Sequence, residues 1–161
     1  WHLRGRNSIA VVAGSPDLAP GPQRLAGYRG AVAELGLDIP PSFVAHCDWT
    51  RDGGFQAMSH ILDSSSAIPD AVFCANDLMA IGAMDAIAAR RLNVPGDIAV
   101  VGVDDIDAAR LVRPALTSFR VPAVEIGEVA GELILRRIAD GPAAVHRHVR
   151  VQHSLISRES V

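Results

Sequence analysis

Four residues, Arg24, Trp49, Asn76 and Asp104, have types suited to holding a neutral, hydroxyl-rich molecule, and three of them stand just beyond apolar runs. The Arg24 guanidinium is a planar fork of donors and the Asp104 carboxylate accepts two hydrogen bonds, so each can grip a pair of adjacent hydroxyls. Asn76 offers a donor and an acceptor from one amide. The indole of Trp49 can cover the C–H face of a sugar ring or stack on a purine. Each also has a plainer reading. Arg24 fits a solvated helix surface, and Trp49 can plug the end of a core. Asn76 and its neighbour Asp77 suit a helix cap, and Asp104 can satisfy loop amides.

Other chemistry has less support. Asp105-Ile106-Asp107 is a D-x-D after an apolar run, the arrangement of a metal-dependent phosphate-handling carboxylate. Such sites are backed by a lysine, and this sequence contains none. No G-x-x-x-x-G-K-[ST] or G-x-G-x-x-G run is present. Cys47 and Cys74 lie far apart in apolar stretches and read as inert buried thiols. His146 and His148 would share one face of a strand but lack a third ligand for a metal. No cofactor is implied.

The residues that position these groups form an alternating pattern. Ser8–Ala13 is a continuous apolar run ending at Gly14, as expected of a buried parallel strand. Pro20 and Pro22 suit a helix start, Leu25, Tyr28, Val32 and Leu35 recur at spacings of three and four, and Gly36 stops the helix. Phe43–Trp49 predicts a second strand, and Thr50 an N-cap for a helix carrying Phe55, Met58, Ile61 and Leu62. Ala71–Ala75 is a third strand, followed by an Ala-rich helix over 77–91. Ile98–Val103 is a fourth. Four βα steps predict an α/β fold, an open parallel sheet with helices on both faces. In such sheets ligands bind beyond the carboxyl ends of the strands. Gly14-Ser15, Asp48-Trp49, Asn76-Asp77 and Asp104-Asp105 all fall there. Beyond this rhythm come a short strand over 116–121, a helix from Pro122 to Ala139, a turn at Asp140-Gly141-Pro142 and a strand-like stretch over 145–156.

Composition narrows the classes. The 161 residues are 49% hydrophobic, enough for one core, and carry a net charge of −3. All 15 basic residues are arginines, dispersed rather than clustered, so no positive field for a phosphate backbone exists. No apolar run approaches the roughly 20 residues that span a bilayer. The opening Trp1-His2-Leu3-Arg4-Gly5-Arg6 reads as the tail of a helix whose start is missing.

The ordered series His2-Leu3, Gly5, Ile9-Ala10, Arg24-Leu25-Ala26-Gly27-Tyr28, Asp48-Trp49, Gly54-Phe55, Ala75-Asn76-Asp77-Leu78-Met79-Ala80, Gly82-Ala83-Met84, Val94-Pro95, Asp97-Ile98, Val100-Val101-Gly102, Asp104-Asp105 and Pro114-Ala115-Leu116-Thr117 resembles the LacI/GalR transcription regulators. Their sensing domain has the periplasmic-binding-protein type I fold. The resemblance implies that Arg24, Trp49, Asn76 and Asp104 contact a small-molecule effector, a sugar or purine-like compound. It implies that residues 1–115 form the second lobe, that 116–141 cross to the first lobe, and that 142–161 return as a strand of the second. The DNA-binding headpiece and most of the first lobe would precede Trp1, with operator DNA bound through that headpiece. A cytoplasmic homodimer without enzymatic activity is expected, with Ala80, Ala83, Met84 and Ile87 as a candidate dimer face. The stretch Pro16–Pro22 departs from the family in its proline content, which leaves the effector's identity open. A sugar-binding protein of a transport system shares the fold and is the rival reading.

Overall fold

The computed structural model describes residues 5–141 and 145–161, so the His2-Leu3 motif and Pro142 lie outside the described residues. Six strands form one sheet in the order β2-β1-β3-β4-β5-β6. They are β1 (Ile9–Ala13), β2 (Val44–His46), β3 (Ala71–Cys74), β4 (Ala99–Asp104), β5 (Thr117–Arg120) and β6 (Ser154–Ile156). Neighbours from β2 to β5 pair in parallel, and β6 runs antiparallel to β5. The helices are α1 (Pro20–Glu34), α2 (Arg51–Ser64), α3 (Asp77–Ala89), α4 (Asp107–Leu111) and α5 (Ala123–Asp140).

The apolar runs are continuous because both faces of the sheet are covered. Ala10, Val12, Val72, Cys74 and Val100 face the α2–α3 layer and join Met58, Ile61, Met79, Ala83 and Ile87 in the main core. Their alternates Val11 and Ala13 meet Leu25 and Tyr28 of α1 on the other face. Pro20 occupies the first turn of α1, and Gly36, at φ +65°, follows its end. Thr50 caps α2 as expected, its hydroxyl accepting the Gly53 N–H at 3.0 Å.

Three expectations need correction. Thr117–Arg120, expected to leave this lobe, is hydrogen-bonded to β4 along its length, with Thr117 and Ser118 buried. The excursion starts only at Val121-Pro122. The strand predicted from Val145 forms only over Ser154–Ile156, so His146 and His148 share no strand face. Ala80, Ala83, Met84 and Ile87 are buried in the core, so that face of α3 packs on the sheet and is closed to a second copy. The short α4 was not foreseen.

Among the described residues no helix is long and apolar enough to cross a membrane. Burial pushes the thiols of Cys47, half-buried, and Cys74, fully buried, above their ordinary value.

Candidate functional site

The chain passes from β1 outward to β2, then returns to place β3 on the other side of β1. A crevice opens at such a reversal, outside the strands' carboxyl ends. Gly14 follows β1 there, Ala75 and Asn76 follow β3, and Asp104 closes β4. Arg24 reaches the same place from the second turn of α1.

The four predicted residues converge into one connected group. One guanidinium nitrogen of Arg24 donates to the Ala75 carbonyl, and the other lies 3.4 Å from Asp104 Oδ1. The same guanidinium stands 5.8 Å from the centre of the Trp49 ring, within cation–π range. Asn76 caps α3 by accepting the Met79 N–H at 2.8 Å, and its amide donates to the Trp49 carbonyl at 3.0 Å. Capping and site membership are therefore both true of Asn76. After those two bonds it retains one N–H and one lone pair.

Trp49 holds its place by close approach. A Cβ built on Gly14 would lie 2.0 Å from Trp49 Cζ2, so only glycine admits the ring. The indole N–H is buried and meets no acceptor among the described residues. Such a donor is normally satisfied. Trp49, Asp104 and Asp105 all have positive φ, at 71°, 114° and 58°. A non-glycine residue there stores about 1–3 kcal/mol, and such strain gathers at functional sites.

The electrostatics follow from burial. Burial raises the Asp104 carboxyl above its ordinary value, while the charge and hydrogen bond of Arg24 pull it down, and the rise prevails. Arg24 and Asp104 are only partly exposed, at 27% and 38% of their side chains, so both still present polar atoms to the crevice. This arrangement can bind and orient vicinal hydroxyls between a donor fork and a carboxylate, beneath an aromatic ring. Among the described residues no group of three or more His, Cys, Asp and Glu gathers as a metal site.

Comparison with known proteins gives this edge its family. Residues 2–161 match the Periplasmic binding protein-like domain. The Ribose operon repressor of Escherichia coli (strain K12) is 38% identical over 157 residues, covering 98% of this chain and 47% of that protein. Among solved structures, a complex of the transcriptional regulator CelR with cellobiose superposes with a TM-score of 0.92 at 34% identity. It covers 99% of this chain and 48% of the other. The lac repressor dimer bound to operator and the anti-inducer ONPF matches with a TM-score of 0.87 at 29% identity, over 97% of this chain and 53% of the other.

The chain belongs to the periplasmic-binding-protein-like domain family. It spans about half the length of the curated relatives it matches, 47% for the ribose repressor.

Within this periplasmic-binding-protein-like lobe the other flagged residues do different work. Asp48 turns back on Thr50, accepting its hydroxyl at 2.6 Å. Asp77 is fully buried, accepting the Ser118 hydroxyl at 2.6 Å and the Ile106 N–H at 2.9 Å. Asp105 is held between Arg120 and Arg158, and Asp107 is exposed beside Arg110. The D-x-D pair is thus split between an inner ion cluster and the surface, unlike a pair of metal-facing carboxylates. Ser118, Arg120 and Arg158 escaped sequence reasoning because they come from β5 and from beyond β6, and only the antiparallel return of β6 brings them together. An apolar trough of about 880 Å³ beside α1, lined by Tyr28, Val32, Phe73, Val101 and Phe119, touches the site only through Arg24.

Proposed function

We propose that this chain is the effector-sensing lobe of a LacI-type DNA-binding transcription regulator, and that Arg24, Trp49, Asn76 and Asp104 contact a sugar or similar polyol. The observation that carries the reading is the gathering of those four residues at the switch point between β1 and β3, Arg24 against Asp104 and the Trp49 ring, and Asn76 on the Trp49 carbonyl. Cellobiose in the CelR complex and the word ribose in the name of a 38% identical repressor support a saccharide. A second lobe preceding this one would close over the effector, with α5 contributing to it. Closure then selects one interlobe angle, and the angle sets the spacing of two headpieces on operator DNA in a homodimer. The lobe acts by binding, in the cytoplasm and without catalysis. The regulator reading is preferred to the transport reading because curated relatives at 37–38% identity are repressors.

A thermal-shift panel on the full-length protein tests this, using pentoses, hexoses, disaccharides and purine bases. A ligand at about 100 times its Kd adds roughly 2.7 kcal/mol, which raises Tm by roughly 5–10 °C for a unit of about 150–250 residues and by less in a larger cooperative unit. One saccharide should do so and should change the protein's retention on operator DNA. A shift with purines alone would replace the polyol by a base. No shift in any class would remove the effector reading.

A further inference from the structure

We infer that Asp105 is a positioning residue for Asp104, tying the ligand edge to both points where the chain leaves this sheet and re-enters it. The inference rests on the effector reading of Asp104.

Asp105 is the neighbour of that residue and its side chain is 5% exposed. Every polar atom it offers inward is engaged. Its Oδ2 accepts Arg120 through Nε at 2.7 Å and through the terminal nitrogen at 2.7 Å. Its Oδ1 accepts Arg158 at 2.5 Å. Its backbone N–H donates to Ser118 Oγ at 3.0 Å, and that hydroxyl donates on to the buried Asp77.

The two arginines mark the two ends of one excursion. Arg120 is the last residue of β5, immediately before the segment leading to α5, and it pairs in register with Asp104 itself. Arg158 lies two residues beyond β6, where the chain has returned. It is fixed in turn by its own N–H to Thr117 Oγ1 at 2.8 Å and by its guanidinium to the Leu116 carbonyl at 2.7 Å. One carboxylate therefore joins the two arginines at departure and return, beside the β5–β6 ladder that sets Arg120 opposite Ser154.

Asp104 and Asp105 hold φ values of 114° and 58°, which L-residues keep only when their surroundings over-determine them. The Asp105 cluster supplies that determination. A ligand that draws Asp104 outward must rotate the Asp104–Asp105 peptide, and Asp105 cannot turn without displacing Arg120 and Arg158. An asparagine in its place keeps one acceptor and turns an N–H₂ toward a guanidinium, so it cannot serve both arginines.

Hydrogen–deuterium exchange on the full chain tests the link without requiring a known effector. Wild type is compared with Asp105→Asn, Asp105→Glu and Arg158→Gln. In Asp105→Asn the amides of residues 104–106, 119–121 and 155–158 should speed up together by about tenfold or more, while Val11 and Val72 in the core keep their rates. Asp105→Glu, which retains the charge, should restore part of the protection at both ends. Uniform acceleration that includes Val11 and Val72 would reduce Asp105 to a stabilising residue. Acceleration confined to 104–106 would break the proposed tie. Should Asp105→Asn fail to fold, Arg158→Gln keeps the Arg120 pair, and unchanged exchange at 104–106 in that variant would overturn the inference. Failure of the effector reading would appear separately, as wild-type exchange at Asp104 that no compound of the panel alters.

Discussion

Asp104 and Asp77 stand close together at the carboxyl edge of the sheet, and burial acts on both in the same direction while their tasks differ. Asp104 faces the crevice, so Asp104→Ala should remove a charged hydrogen bond to ligand, weakening effector affinity roughly 10- to 100-fold. Titration calorimetry with the panel compound is the check, and unchanged affinity would take Asp104 out of the site. Asp77 faces inward. Burial raises its carboxyl above the ordinary 3.8, against the opposing bonds from Ser118 and Ile106. A carboxyl raised in the folded state contributes stability that is complete below its unfolded value and is lost as pH climbs through the higher folded one. In urea titrations from pH 3.5 upward, wild type should therefore lose stability relative to Asp77→Asn, and parallel curves would deny Asp77 the raised value. The candidate binding residues were legible because each has a distinctive type just beyond an apolar run or on the helix beside it. Their supports were not, since Ser118, Arg120 and Arg158 look like ordinary surface residues until strand pairing buries or aligns them.

Helix-on-helix contact sets the precision of the edge, because α2 and α3 bear on one another and begin at Thr50 and Asn76. Two glycines set that distance. A Cβ on Gly54 would lie 2.3 Å from the Met79 carbonyl oxygen, and one on Gly82 would lie 1.9 Å from the Arg51 carbonyl oxygen. Backbone cannot step aside as a side chain can, so Gly82→Ala should cost about 1–3 kcal/mol. Removing the cap in Thr50→Ala should cost about 1 kcal/mol. Chemical denaturation of both variants ranks them, and a Gly82→Ala protein as stable as wild type would contradict the close approach. This layer also shows what sequence pattern can carry. The runs Ile9–Ala13, Ala71–Cys74 and Ala99–Val103 carry no polar side chain and could hardly be misread. Thr117-Ser118-Phe119-Arg120 has no such run. Thr117 and Ser118 are buried with partners, the Thr117 hydroxyl accepting the Arg158 N–H at 2.8 Å and Ser118 bonding Asp77. Compensation of that kind lies between distant residues and leaves no local periodicity.

At the scale of the molecule, α5 is the element out of balance. It runs from Ala123 to Asp140 without one buried residue, although Val124, Ile134, Leu135 and Ile138 are 77%, 60%, 69% and 73% exposed. A helix with that stripe is expected to bury it against something, and most of this lobe's own core is built without it. On the proposed two-lobe reading, the interval between β5 and β6 would be lent to a neighbouring body, attached through the two arginines that Asp105 holds. Burying four such side chains removes apolar area worth roughly 1.5–3 kcal/mol each at full burial, enough to decide where the helix rests. Limited trypsin digestion reads this directly, since Arg136 and Arg137 lie on the last turns of α5. In this 161-residue chain the bonds after them should be cut readily, though later than those after the exposed Arg147 and Arg150 in irregular backbone. In the longer protein the same bonds should be protected by roughly a factor of ten or more, as for a segment that opens only by sub-global unfolding. Equal cleavage rates in the two would mean that no second lobe covers α5, and the two-lobe mechanism would lose the helix that joins its halves.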